Sequence, residues 1–207
     1  MQHTSRTDTK AALVRAAERL FAEKGLGTVS VKDITVAAGA RNPSAVHYHF
    51  GNIEALIREV FTRRYEAIET ARIQRLSELE SAGEAPKLEA LIEAAVGPLF
   101  EACLEEDGRL YARFCHQLST DPRFDVVQLI QDVGVKSATS IRDQLLRVLS
   151  ELPEDMLRAR LRQIVPITFV QTADFARQVE LGTAPQLDLA VREAAITLAG
   201  YLRARPS

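Results

Sequence analysis

Leu13, Val14, Ala17, Leu20 and Phe21 recur at three- and four-residue spacing, while Lys10, Arg15, Glu18 and Arg19 fall outside that stripe. The period predicts an amphipathic helix from about Thr9 to Lys24, capped by Thr7 or Asp8 and ended by Gly25 in the left-handed conformation. Ser30 is placed to cap a short second helix, with Asp33 as its capping-box partner and Val31, Ile34 and Ala38 pointing one way. Gly39, Ala40 and Arg41 break the pattern. Asn42-Pro43 then starts a third helix, Pro43 to about His49, because Asn caps free amides and Pro fits the first helical position. Gly51 stops it. Within it Val46 and Phe50 face inward with Ile34 and Phe21, which leaves Ser44, His47 and Tyr48 outward.

The helical pattern continues past Gly51. Asn52 caps a long helix to about Glu80 with Ile57, Phe61, Ile68, Leu76 and Leu79 as its apolar set. "SAGEAP" (81–86) is a loop, and Pro86 opens a helix to about Glu106. "EEDG" turns the chain into a short helix carrying Leu110, Phe114 and Leu118. After Asp121-Pro122 one helix spans about Asp125 to Leu149. Pro153 begins a long element to Glu180, kinked or restarted at Pro166, which lacks the helical donor. A last helix runs from Gln186 to about Arg203. The expected fold is all-α. Residues 1–51 form a three-helix helix-turn-helix domain, in which two short helices cross a glycine turn braced by a longer one. Residues 52–207 form a larger helical domain.

Composition narrows the picture. Only 10 Gly and 8 Pro in 207 residues disfavour a turn-rich β fold. Two cysteines, Cys103 and Cys115, make neither a disulfide framework nor a four-cysteine metal site, and they read as buried apolar fillers in a reducing compartment. No apolar signal core and no run of about 18 apolar residues is present, so the expected location is cytoplasmic, with no membrane partner. The net charge of −2 is unevenly spread: residues 1–50 carry seven Lys and Arg against four acids, and the remainder is acidic. A basic head on an acidic body suits a DNA-binding domain joined to something else. His47 and His49, two apart on a helix, diverge by about 200° and cannot share a metal ion unaided. Cys115 and His116 diverge too, with no orienting carboxylate. No cofactor, metal or catalytic role follows from these residues.

"AALVRAAERLFAEKGLGTVSVKDITVAAGA" followed by "SAVHYHFGNIEALI" resembles a TetR-type transcriptional regulator over about the first 57 residues. The likeness lies in the alanine-rich first helix, the glycine loop, Asp-Ile in the second helix, Ala-Gly at the turn, and Tyr-His-Phe-Gly closing the third. It implies a homodimer, usually a repressor, whose two heads bind double-stranded DNA at a palindromic operator with half-sites about one helical turn apart, or a multiple. It places Tyr48 and His49 at positions that contact DNA, often its phosphates, and Ser44, Ala45 and His47 at positions facing base edges. Ser30, Lys32 and Arg41 complete the expected DNA-facing set. Three departures stand out. The turn "AGARNP" is one residue longer than the common form, His47 stands where the pattern has a first tyrosine, and Ile53 stands where it has a lysine. The last change removes one phosphate contact, which weakens binding or shifts the task to Lys32 or Arg41.

The resemblance also implies a small-molecule effector in the C-terminal domain, which acts there as a ligand-binding and dimerisation unit. Phe61, Tyr65, Phe100, Cys103, Tyr111, Phe114, His116, Phe169 and Thr172 are the expected pocket residues, and the ligand expected there is small and apolar or aromatic. Two helices have the pattern of an interface. "IVPITFV" (164–170) is apolar nearly all round, and the last helix carries a stripe with small neighbours. Ile167, Val170, Leu187, Val191, Ala194, Leu198 and Leu202 are the expected dimer contacts. The sequence thus reads as a one-component, non-enzymatic regulator released from its operator by a ligand. The alternative is a helical small-molecule-binding accessory protein with lost or weak DNA affinity.

Overall fold

The computed structural model describes residues 6–81, 86–134 and 136–205. Among them are ten helices and no strand: α1 Arg6–Lys24, α2 Val31–Ala37, α3 Ala45–Phe50, α4 Ile53–Ser81, α5 Leu88–Ala102, α6 Glu106–Thr120, α7 Val126–Val133, α8 Lys136–Val148, α9 Glu154–Leu181 and α10 Leu187–Arg203. The expected all-α architecture is what the chain adopts, with the helix-turn-helix at the N-terminus and the helical body after it.

The predicted element bounds shift where local chemistry overrides the pattern. The third helix starts two residues later than Asn42-Pro43 suggested. Asn42 spends its side chain on a turn, its Oδ1 accepting from Ser44 N at 2.9 Å, and Ala45 N donates to Asn42 O at 3.0 Å. "EEDG" is no turn: Glu106, Asp107 and Gly108 form the first turn of α6, and the chain bends earlier, at 103–105. Gly108 is needed there because a Cβ would stand 1.8 Å from the Ala102 carbonyl oxygen at the end of α5. The single helix expected over 125–149 is two. Gly134, at φ +70°, ends α7 in the left-handed region that only glycine enters without strain. Pro166 does not interrupt α9, which runs unbroken through it and packs against α6. The predicted loop at 81–86 falls mostly on 82–85, outside the described residues.

Packing divides between two apolar clusters. One joins the α1 face (Leu13, Ala17, Phe21), Ile34 and Val46 to Leu56, Ile57, Val60 and Phe61 of α4 and to Tyr111, Phe114 and Leu118 of α6, with no break at Gly51. The other lies among α5, α8, α9 and α10. α4 belongs to both, with Ile68 in the first and Leu76 in the second. Its 29 residues span about 43 Å and connect the head to the far end of the body.

Candidate nucleic-acid interface and effector chamber

The short helices are locally well specified. Ser30 Oγ accepts from Asp33 N at 3.2 Å, and Ser30 N donates to Asp33 Oδ2 at 3.0 Å, completing the predicted capping box of α2. The Ser30 hydroxyl and backbone N–H together hold the Asp33 carboxyl below its ordinary 3.8. Since Ser30 Oγ also donates to Asp33 Oδ2 at 2.6 Å, its hydroxyl is occupied by the cap.

On α3, Val46 is fully buried, and Ser44, His47 and Tyr48 are exposed, as the pattern requires. Tyr48 is 61% exposed despite its size, and its ring meets that of His49 edge-on, 5.0 Å between centroids. Lys32 on α2 and Arg41 in the turn are exposed as well. Ala45 is the exception. It is 3% exposed and packed into the head core, so it cannot face a base edge. Starting the helix at Ala45 instead of Pro43 turns that residue inward. Ser30, Lys32, Arg41, Ser44, His47 and Tyr48 are exposed, whereas His49 is half-buried, its ring between those of Tyr48 and Phe50.

Behind this surface the head is fastened to α6. Phe21 of α1 stacks on Phe114 at 6.2 Å, and Phe114 on Tyr111 at 6.1 Å. The Gln117 side-chain amide closes the loop after α1, accepting from Leu26 N at 3.2 Å and donating to Ala22 O at 3.3 Å. Arg64 of α4 donates to both Glu18 oxygens, at 2.8 and 3.2 Å, and pairs with Asp107 of α6 at 2.7 Å. Burial raises the Glu18 carboxyl above its ordinary 4.5, more than the shared guanidinium lowers it. The more exposed Asp107 is held below 3.8 by the same arginine.

Among the described residues the body has two neighbouring chambers and, apart from them, a third cavity of about 210 Å³ where α5, α9 and α10 meet. The outer, about 430 Å³, opens between α7, α8 and α9; the inner, about 130 Å³, lies against α4 and α5. Ile130, Ala138, Ile141, Leu145, Ile164 and Val165 border both. Of the expected pocket residues Tyr65 and Phe169 line the inner chamber, and Phe100 lines the third cavity. Phe61, Tyr111 and Phe114 are core, stacked at the head–body joint. Phe100 packs on Phe175 at 5.2 Å, Cys103 is fully buried, and Thr172 spends its hydroxyl on the Thr168 carbonyl at 2.9 Å. His116 is half-buried on α6 and lines neither chamber. Burial pushes the Cys103 thiol up to about 12 and the Cys115 thiol higher, so both are neutral fillers, as composition suggested.

The expected interface stripe is also redistributed. Ala194, Leu198 and Leu202 are buried within the chain, where α10 packs on α5, and Leu198 walls the inner chamber. Ile167, Leu187 and Val191 are half-buried against the same core. Val170 is exposed, as are Leu189 and Ile196, which the pattern had not singled out. The residue most plainly missed is Arg72. It follows Ile68 and precedes Leu76 at four-residue spacing, a charge standing inside the apolar stripe of α4.

The sequence profile of bacterial regulatory proteins of the tetR family matches residues 13–60, and that of the tetracyclin repressor-like C-terminal domain matches residues 93–204. None of the curated proteins matches the chain. Among solved structures, the fatty acid degradation regulator FadR from Bacillus halodurans superposes with a TM-score of 0.62 at 19% identity, over 95% of this chain and 97% of that one. A TetR family transcription regulator from Marinobacter aquaeolei VT8 gives 0.58 at 18% identity, over 94% and 95%. A transcriptional regulator from Rhodococcus sp. Rha1 gives 0.56 at 21% identity, over 95% and 99%. At these identities the likeness establishes the fold.

Proposed function

The chain belongs to the TetR family, and on that premise we propose that it is a one-component, ligand-responsive repressor acting as a homodimer on a palindromic operator. One observation carries the reading: α4 starts directly behind the recognition helix, packs in the head core, and lines the inner chamber with Tyr65. A ligand that displaces α4 therefore displaces the head. The mechanism is a population shift in which effector favours a head spacing that mismatches the groove repeat, and operator affinity falls by its differential preference for that state. Tyr48, His47, Ser44, Lys32 and Arg41 meet the duplex. The outer faces of α9 and α10, with Val170 and Ile196 exposed, pair across the two-fold axis.

The test is an anisotropy titration against DNA from around the protein's own gene, at two salt concentrations. Sequence-selective binding that weakens steeply with salt is expected. Tyr48→Ala is expected to lower affinity about tenfold or more while sedimentation still reports a dimer. Unchanged affinity in that variant removes the α3 assignment.

A further inference from the structure

Arg72 is 6% exposed and walls the inner chamber, whose remaining lining is apolar apart from Tyr65 and Thr168. Its Nε donates to the Ala95 carbonyl at 2.7 Å, and its guanidinium carbon stands 4.9 Å from the centre of the Tyr65 ring. Among the described residues its two terminal nitrogens take no hydrogen bond. The other arginines of α4 that pair do so elsewhere, Arg58 with Asp132, Arg64 with Glu18 and Asp107, Arg75 with Glu101, and no described carboxylate pairs with Arg72.

The neighbourhood supplies no substitute. Glu69, one turn earlier, is turned to the start of α8, where it accepts from Ser137 N at 2.9 Å and from the Ser137 hydroxyl. Burial keeps the Tyr111 phenol and the Cys115 thiol above their ordinary values, so both are neutral at pH 7. Thr168 spends its hydroxyl proton on the Ile164 carbonyl at 2.8 Å. Arginine keeps its charge at neutral pH, and Arg72 stands at the chamber wall without a carboxylate among the described residues. The guanidinium edge is therefore built for a counter-charge that the chain does not carry.

We propose that the inner chamber receives an organic carboxylate, its two oxygens set against the terminal nitrogens of Arg72 and its apolar body lying between α8 and α9 toward the outer chamber. This rests on the reading of the chambers as the effector site. Guanidinium and carboxylate match as two parallel charge-assisted hydrogen bonds, the geometry that distinguishes an arginine site from a point charge. Ile141, Leu145, Ile164 and Val165 border both chambers and supply the apolar path. Three further arginines line the outer chamber, but each has its own carboxylate: Arg142 with Asp143 at 2.9 Å, Arg158 with Glu154 at 2.5 Å and Arg162 with Asp125 at 2.6 Å. The anion accordingly passes them and seats at the one arginine of the cavity that is unpaired among the described residues.

The experiment compares decanoate, decanol and decylamine by isothermal titration calorimetry and by thermal shift on the full chain, below their micelle concentrations. Decanoate is expected to bind about tenfold more tightly than decanol, and decylamine more weakly than either. In Arg72→Met, decanoate and decanol are expected to bind alike, and the ligand-free variant to melt about 2–4 °C above wild type, since an apolar isostere removes the unpaired charge. Arg72→Lys keeps part of the preference. Equal binding of decanoate and decanol to wild type, discrimination retained in Arg72→Met, or binding of none of the three overturns the proposal, and the wild-type comparison holds even if the Met variant fails to fold. The DNA titration separates this from the regulatory reading. Discrimination without DNA binding removes the regulator and keeps the anion site; DNA binding without discrimination does the reverse.

Discussion

Arg64 and Arg72 lie about two turns apart on one helix, and both are largely withdrawn from water. Arg64 is surrounded by carboxylates from two other helices. Burial works against its charge, but Glu18 and Asp107 together outweigh that and hold it protonated. Arg72 has a backbone carbonyl and an aromatic face, and no described carboxylate. The same residue type therefore serves two purposes. At the head–body joint the charges cancel internally and the arginine fixes one arrangement of α1, α4 and α6. In the chamber the charge is left open, and its neutralisation depends on something the chain binds. Full pairing marks structure, and a missing partner in a cavity marks a receptor.

The comparison is broken most forcefully at the paired arginine. Arg64→Met leaves Glu18, 5% exposed, without its cation and is expected to cost about 2–3 kcal/mol, reduced from the fully buried case because Arg64 is 33% exposed. Urea unfolding at fixed protein concentration reads this, and a loss below about 0.5 kcal/mol would show that the joint is not held by charge. The double variant Glu18→Leu with Arg64→Met sharpens the contrast. Removing both charges is expected to recover about 1–2 kcal/mol relative to Arg64→Met alone. A double variant no more stable than the single one would refute that balance of charges.

The smallest effect is a pH dependence. Glu18 has its carboxyl raised by burial, so its protonation favours the folded state; this contribution is complete below 4.5 and fades as pH rises through the folded value. Asp107 behaves oppositely, its contribution present above 3.8 and lost as pH falls through its lowered value. Wild type is thus expected to gain stability relative to Glu18→Gln as pH drops from 7 to about 4.5, and to lose it relative to Asp107→Asn below about 3.8. Melting curves across that range check both signs.

The same contrast explains what the sequence could tell. The head was legible because its information is local: the period of α1, the capping box at Ser30 and Asp33, and the outward His47 and Tyr48 all lie within a turn or two of the residues that decide them. Its one displaced residue, Ala45, turned inward when Asn42 chose a turn over a cap. The chamber was not legible because its walls come from α4, α5, α7, α8, α9 and α10, and Ile, Leu, Val and Ala read alike as core or cavity. Aromatic residues drew attention, yet large rings fill space best and went to the core. The α7–α8 break had a signal in Gly134, overridden by the helical pattern on either side. Arg72 had one too, as the charge in an apolar stripe.

The stack of Phe21 on Phe114 and the clasp of Gln117 over the loop after α1 bear on how such a protein can be recombined. The first three helices share their interior with α6, so they are not a detachable cassette. A chimaera that grafts residues 1–51 onto another regulator's body inherits the reading surface without the side chains that seat it. A graft that is to keep the head seated therefore has to carry α6 with it, or at least the side chains at positions 114 and 117.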